Sequence, residues 1–348
     1  MIPRIFLLSL IALRCSKPQT PVSFTGLWQA VTTPYFGEPQ AMVFTSPDTG
    51  YILGASYRGD TIYNILVSTQ DGGHTWRSIH YNLHTFLADT SGGVMTSLFV
   101  SPYNSNILFS GRNILLRSID GGLHWTIIDS MQRTGFPAYF ADPLQGIGLG
   151  MGGLTLTRDS GFHWQAPVSQ VPVDRVVFPS PRTGFATFGT ETGGFAGGLF
   201  ADGQMLRTAD GGASWQPVTY PDIPATRSPG QSPAITGISF LDDQEGYVST
   251  NDDWDRYSGS AILKTVDGGR SWSIVDSSLF DRYGHAQNLY MESEKEGFFS
   301  SAYGIFHTTD SCQSWQMEHG PGITLLCFPG GHTGYAVDAG GNLYKRYF

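Results

Sequence analysis

The chain has 348 residues and a formal net charge of −9, with 40% hydrophobic residues, 44 glycines and 20 prolines. Its apolar and aromatic content is enough to fill a core, which excludes a disordered chain, and the lack of any Lys/Arg cluster excludes the concentrated basic face that nucleic acid requires. After the first residues the composition does not shift, so residues 22–348 read as one large domain.

Residues 1–21 differ from the rest. Arg4 precedes the apolar run Ile5 to Leu13, which is too short for a permanent membrane span and reads as an export signal. Cys15, followed by Ser16 and Lys17, resembles the lipid-attachment cysteine of bacterial lipoproteins, although the residue before it, Arg14, is not small. The expectation is an exported monomer of the cell envelope, in the periplasm or on the outer surface, with a lipid tether at Cys15. Cys312 and Cys327 are expected to be packed free thiols.

From residue 69 onward one phrase, Ser/Thr-x-Asp-x-Gly-x-x-Trp, recurs six times. Its Asp and Trp are Asp71 and Trp76, Asp120 and Trp125, Asp159 and Trp164, Asp210 and Trp215, Asp267 and Trp272, and Asp310 and Trp315. A spacing of roughly 40 to 57 residues has the period of a propeller blade. An offset repeat, an aromatic or Met followed six positions later by Gly, begins at Phe44, Phe140, Phe178, Phe240, Met291 and Phe328, with an altered copy at Phe99. The two repeats together predict seven units of about 46 residues, the size of a four-stranded antiparallel blade.

In the fifth unit, alternation and turn signals place strands A to D at Ile235 to Phe240, Gly246 to Thr250, Ala261 to Thr265 and Trp272 to Val275. The phrase is therefore the turn from C to D. The seventh unit stops after strand C, while Trp28 to Val31 near the start resembles the segment after each phrase. That segment is predicted to supply the last D strand and close the ring, joining edges that would otherwise be open.

The phrase answers the needs of a tight hairpin. Asp accepts hydrogen bonds from backbone N–H groups of its own turn, Gly adopts positive φ, and Trp buries a large ring. These aspartates are expected to be structural and not catalytic. The sixth copy has Cys312 in place of Gly and is expected to be distorted.

The phrase resembles the Asp-box, or bacterial neuraminidase repeat, of sialidases, some β-glucanases, sortilin-type receptors and photosystem II stability/assembly factors. Residues 24–348 are most similar to the last family, in length, in the count of seven, in the run from Arg207 to Trp215 and in the element from Phe178 to Phe185. The resemblance implies a seven-bladed propeller that binds protein during assembly, with an arginine-rich docking patch. The arginines here are dispersed along the sequence, which fits a relative outside photosynthesis.

A–B and C–D turns share one face of a propeller, and B–C and D–A connections share the other. Irregular loops on the second face are the expected binding site, because aromatic and arginine side chains there are those a binding hot spot uses. They comprise Asp252, Asp253, Trp254, Arg256 and Tyr257; Arg282, Tyr283 and His285; Tyr57 and Arg58; His84; and Arg133. The acidic run at Asp252 reads as a solvated loop rather than a Ca²⁺ site, and His80 and His84 lack partners at zinc-like spacing, so no metal or cofactor is expected. The sequence reading is a non-catalytic protein-binding propeller. Its alternative, a glycan-binding or glycoside-hydrolysing propeller, needs a facing carboxylate pair about 5 to 9.5 Å apart.

Overall fold

The computed structural model describes residues 28–58, 61–79, 97–111, 114–129, 136–150, 153–165, 173, 175–187, 205–219, 221, 234–251, 261–330 and 333–347. They form seven antiparallel sheets, each a blade of a seven-bladed β-propeller. The fifth blade contains Ala234–Phe240, Gly246–Asn251, Ile262–Thr265 and Ser273–Asp276, within a residue of the sequence reading at each strand start. In the third blade, three strands are joined by a single bridge from Thr157 to Trp164 in the place of strand D.

The seventh blade is built from both ends of the domain. Ile323–Gly330, Thr333–Asp338 and Leu343–Tyr347 run consecutively, and Trp28–Val31 pairs antiparallel with the last, Trp28 opposite Arg346 and Val31 opposite Leu343. The predicted ring closure is the observed one. Side chains reinforce it: Trp28 Nε1 donates to Glu318 Oε2 at 3.1 Å, and Arg346 donates to both oxygens of Glu318 at 2.6 and 2.8 Å. Glu318 belongs to the sixth blade, so this bond set ties the closing blade to its neighbour.

Close approach explains the offset repeat. A Cβ on Gly50, Gly146, Gly184, Gly246 or Gly334 would lie 2.3 to 2.8 Å from the ring of Phe44, Phe140, Phe178, Phe240 or Phe328, and one on Gly297 would lie 2.3 Å from Met291 Sδ. Each ring covers the bare backbone of the facing strand. In the second blade the corresponding pair is Val100 opposite Leu108, one residue later than the Phe99 start expected from sequence. There a longer turn and two aliphatic side chains replace the ring over glycine.

The core lies between blades. Tyr335, Val337 and Leu343 of the seventh blade pack with Ile52, Val67 and Trp76 of the first, and Tyr247 and Ile262 of the fifth with Phe299, Phe306 and Trp315 of the sixth. Aromatic stacking crosses the same junctions, with Phe44 on Tyr335 at 3.9 Å and Phe185 on Phe240 at 4.5 Å. Each blade therefore buries its apolar side chains against its neighbours.

The sixth turn is not distorted, contrary to the expectation from Cys312. Ser311 and Cys312 both take the left-handed backbone, with φ of 62° and 66°, and Asp310 keeps the bonds of the other copies. That conformation costs a non-glycine residue about 1–2 kcal/mol. The turn's hydrogen bonds and the fully buried thiol, 3.9 Å from Met291 Sδ, offset it. Burial pushes the Cys312 thiol up to about 12 and the Cys327 thiol up to about 11. Both cysteines are free. Iodoacetamide at pH 8 is therefore expected to leave both unmodified in the folded protein and to label both in urea, as read by peptide mass mapping.

Candidate functional site

Each phrase is a closed hydrogen-bond circuit. In the first, Thr69 Oγ1 accepts from the N–H of Gly73 at 2.8 Å and donates to Asp71 Oδ1 at 2.9 Å, while Asp71 Oδ1 also accepts from the N–H of Thr75 at 2.8 Å. The other oxygen of the aspartate takes a bond from the residue before Trp: Thr75, His124, His163, Ser214, Ser271 or Ser314. That donor position is a regular part of the phrase which the sequence pattern left open.

Donors at this residue, from side chain and backbone, hold Asp71, Asp210 and Asp267 down at about 2. At Asp120 and Asp159 desolvation opposes the shift, yet the bonds from His124 and His163 again bring the carboxyl to about 2. Such groups are ionised acceptors near neutral pH and cannot serve as proton donors in glycoside hydrolysis. Their contribution to stability is present above the ordinary aspartate value near 4 and is lost as pH falls through about 2. Near-UV circular dichroism is expected to show the fold giving way in that acid window. Asp210→Asn combined with Asp267→Asn is expected to make the acid edge less steep.

Many of the sequence-predicted binding residues, Asp252, Asp253, Trp254, Arg256, Tyr257, His84 and Arg133, lie outside the described residues, as does Cys15. Tyr57 and Arg58 are not loop residues. The second strand of the first blade runs through them, Tyr57 opposite Ile62 and Arg58 opposite Thr61, because the ladder continues to the hairpin end. Tyr57 is exposed there. Arg282 and Tyr283 end a short helix, Leu279–Tyr283, between the fifth and sixth blades. Arg282 is exposed and His285 half-buried. The Tyr283 ring packs 5.1 Å from Phe306 and 6.3 Å from Phe299, so it anchors the helix to the core.

Two grooves among the described residues involve phrase turns. One, of about 260 Å³, lies between the third and fourth blades and is lined by Tyr139, Arg158, Pro181 and Asp210. The other, of about 400 Å³, lies between the fourth and fifth blades and is lined by Arg207, Gln216, Pro217, Val218 and Arg270. Arg207 Nε donates to the Gly268 carbonyl at 2.6 Å and Arg270 Nη1 to the Asp267 carbonyl at 2.6 Å. Both guanidiniums come within 3.7 Å of the point where a Cβ on Gly268 would sit. Burial, then the charge of Arg270, lowers the pKa of Arg207. Asp210 lines the same groove and the Asp267 charge acts on Arg207, so the two cations are partly matched within the fold; beside Pro217 and Val218 they make a surface able to take a carboxylate with an apolar flank.

No protein-family profile matches this chain, and no curated protein sequence matches it. Solved structures do match. A structure of YCF48 bound to D1 peptide superposes with a TM-score of 0.65 at 19% identity, covering 93% of this chain and 97% of that one. YCF48 from Cyanidioschyzon merolae gives 0.63 at 17%, covering 92% and 99%. The GH74 enzyme of Niastella koreensis gives 0.61 at 17%, covering 86% of this chain and 50% of the enzyme. At these identities the likeness is one of fold, and this chain is similar to propellers of the YCF48 and GH74 kinds.

Proposed function

We propose that this protein is a non-catalytic, protein-binding propeller of the cell envelope, similar in role to an assembly factor, exported through its leader and tethered at Cys15. The observation that carries the reading is the pairing of Arg207 and Arg270 on one groove. Its ligand is a polypeptide segment with an acidic side chain or a free carboxyl terminus next to an apolar residue. The full-length likeness to a YCF48 that is bound to D1 peptide supports this reading. The likeness to a GH74 enzyme keeps a glycan-binding reading as the second, although it spans half of that enzyme.

Affinity capture from the native envelope, with synthetic acidic peptides and a β-glucan panel in parallel, separates the two. Arg207→Ala with Arg270→Ala is expected to weaken retention of acidic peptide by roughly tenfold or more, the size of a lost charge-assisted pair. Loss of retention only with Trp254→Ala and Arg256→Ala would move the site to the opposite face. Saturable binding of glycan with no capture of protein would overturn the reading.

A further inference from the structure

The turn tips of the phrase face carry apolar side chains that their own fold does not use. Ile119 and Leu123 in the second phrase, Phe162 in the third, Leu144 in the adjoining A–B turn and Tyr103 in the second blade's A–B turn are about half or more exposed. Contacts join these tips into one surface over two blades. Tyr103 Oη donates to the Ala141 carbonyl at 2.5 Å, the Arg117 guanidinium lies 3.9 Å over the Phe162 ring, and the Ser160 N–H donates to the Leu144 carbonyl at 3.0 Å. In the first and sixth phrases the residues at the positions of Ile119 and Leu123 are Gln70, His74, Thr309 and Gln313, all polar, so the hairpin itself does not require apolar tips.

The chain's entry point gives this surface a direction. In every blade strand C runs into the phrase face, and Trp28 pairs with Arg346 near the end of the last strand C. The polypeptide before Trp28 therefore joins the fold on the phrase face. Only Ser16 to Leu27 separate it from Cys15 and the apolar run Ile5 to Leu13, a span of roughly 40 Å at full extension. The same turns carry the exposed Arg158 and the carboxylates of Asp120, Asp142 and Asp159, so the surface has no net basic character.

We propose that the phrase face of the second and third blades is a membrane-docking surface: Ile119, Leu123, Leu144 and Phe162 enter the interfacial zone of a zwitterionic lipid bilayer, while Asp120, Asp142 and Asp159 stay at the headgroup level, held in the bonds of their own turns. Short apolar tips on a rigid scaffold partition by buried apolar area. The B–C and D–A face then points away from the bilayer. The inference rests on the envelope reading and not on the Arg207–Arg270 groove, which lies between the fourth and fifth blades, outside this surface.

The test uses the full chain carrying Cys15→Ser, so that no acyl chain contributes, with and without Ile119→Gln, Leu123→Gln and Leu144→Gln. Vesicles of phosphatidylcholine are the probe. The glutamine variant is expected to partition roughly tenfold or more weakly with an unchanged melting temperature. The leader is the same in both chains, so the ratio reads the patch. Amide exchange on adding vesicles is expected to slow at residues 119–124 and 160–163 and not in the helix Leu279–Tyr283. Equal partitioning of the two chains would overturn the proposal. So would protection on the helix side, or concentration-dependent self-association that the glutamines abolish while vesicles have no effect.

Discussion

Replacing Glu318 with alanine is expected to destabilise the fold by about 3–5 kcal/mol, the cost of removing one member of a buried ion pair. Glu318, Arg346 and Lys345 are each almost fully buried. Glu318 takes two bonds from Arg346, a third from Trp28 and a contact from His307 Nδ1 at 2.7 Å, and the second nitrogen of His307 faces Glu296 at 3.0 Å. Removing the carboxylate takes from Arg346 the acceptor of two bonds and loosens the strand that closes the ring. Burial by itself would raise the pKa of Glu318, but the donors from His307 and Arg346 together outweigh it and hold it below the ordinary glutamate range. A depressed carboxyl contributes stability that is present above the unfolded value, about 4.3, and is lost as pH falls through the folded one. The urea midpoint of wild type should therefore exceed that of Glu318→Gln at neutral pH, and the gap should close in acid. A loss below about 1 kcal/mol for Glu318→Ala would show that strand pairing alone closes the ring.

The second large effect is expected at Gly269. It has φ of +76°, and a Cβ there would meet the Phe185 ring of the preceding blade at 2.3 Å. Gly269→Ala combines left-handed strain of about 1–2 kcal/mol with overpacking of about 1–3 kcal/mol, so a loss of roughly 2–5 kcal/mol is expected. Gly320 is the control, since nothing lies within 4 Å of its would-be Cβ and its φ is not positive. Gly320→Ala should change the urea midpoint by no more than about 0.5 kcal/mol equivalent. Similar losses at both sites would mean that the phrase glycines serve the turn and not the junction between blades.

The structure at Gly269 explains why two short patterns made the fold legible. Gly73, Gly122, Gly161, Gly212 and Gly269 each receive a side chain of the preceding blade, respectively Tyr335, Leu66, Phe109, Ile147 and Phe185. Every phrase is thus a turn and an inter-blade seat together, which forces its repetition. Cys312 fills the same seat with its own thiol, and the turn holds because its bonds come from Thr308, Asp310 and Ser314 rather than from the glycine.

The candidate site was far less legible. Loops such as that around Trp254 stand out by composition, but composition carries no distance. Tyr283 reads as a surface aromatic and is in fact packed on Phe306. Arg207 and Arg270 look dispersed, one before and one within a phrase, and meet because the phrase of the fifth blade seats against the strands of the fourth.

The number of blades, the C–D position of each phrase and the closing role of Trp28 can be read from the chain alone, because local hairpin chemistry and burial of one ring recur with a fixed period. Which side chains become neighbours across a junction is visible in three dimensions and nowhere else. The arginine pair, the Glu318 bond set and the apolar surface from Tyr103 to Phe162 all join residues of different blades. Their proximity follows from how the blades pack around the ring, which no local pattern in the chain encodes.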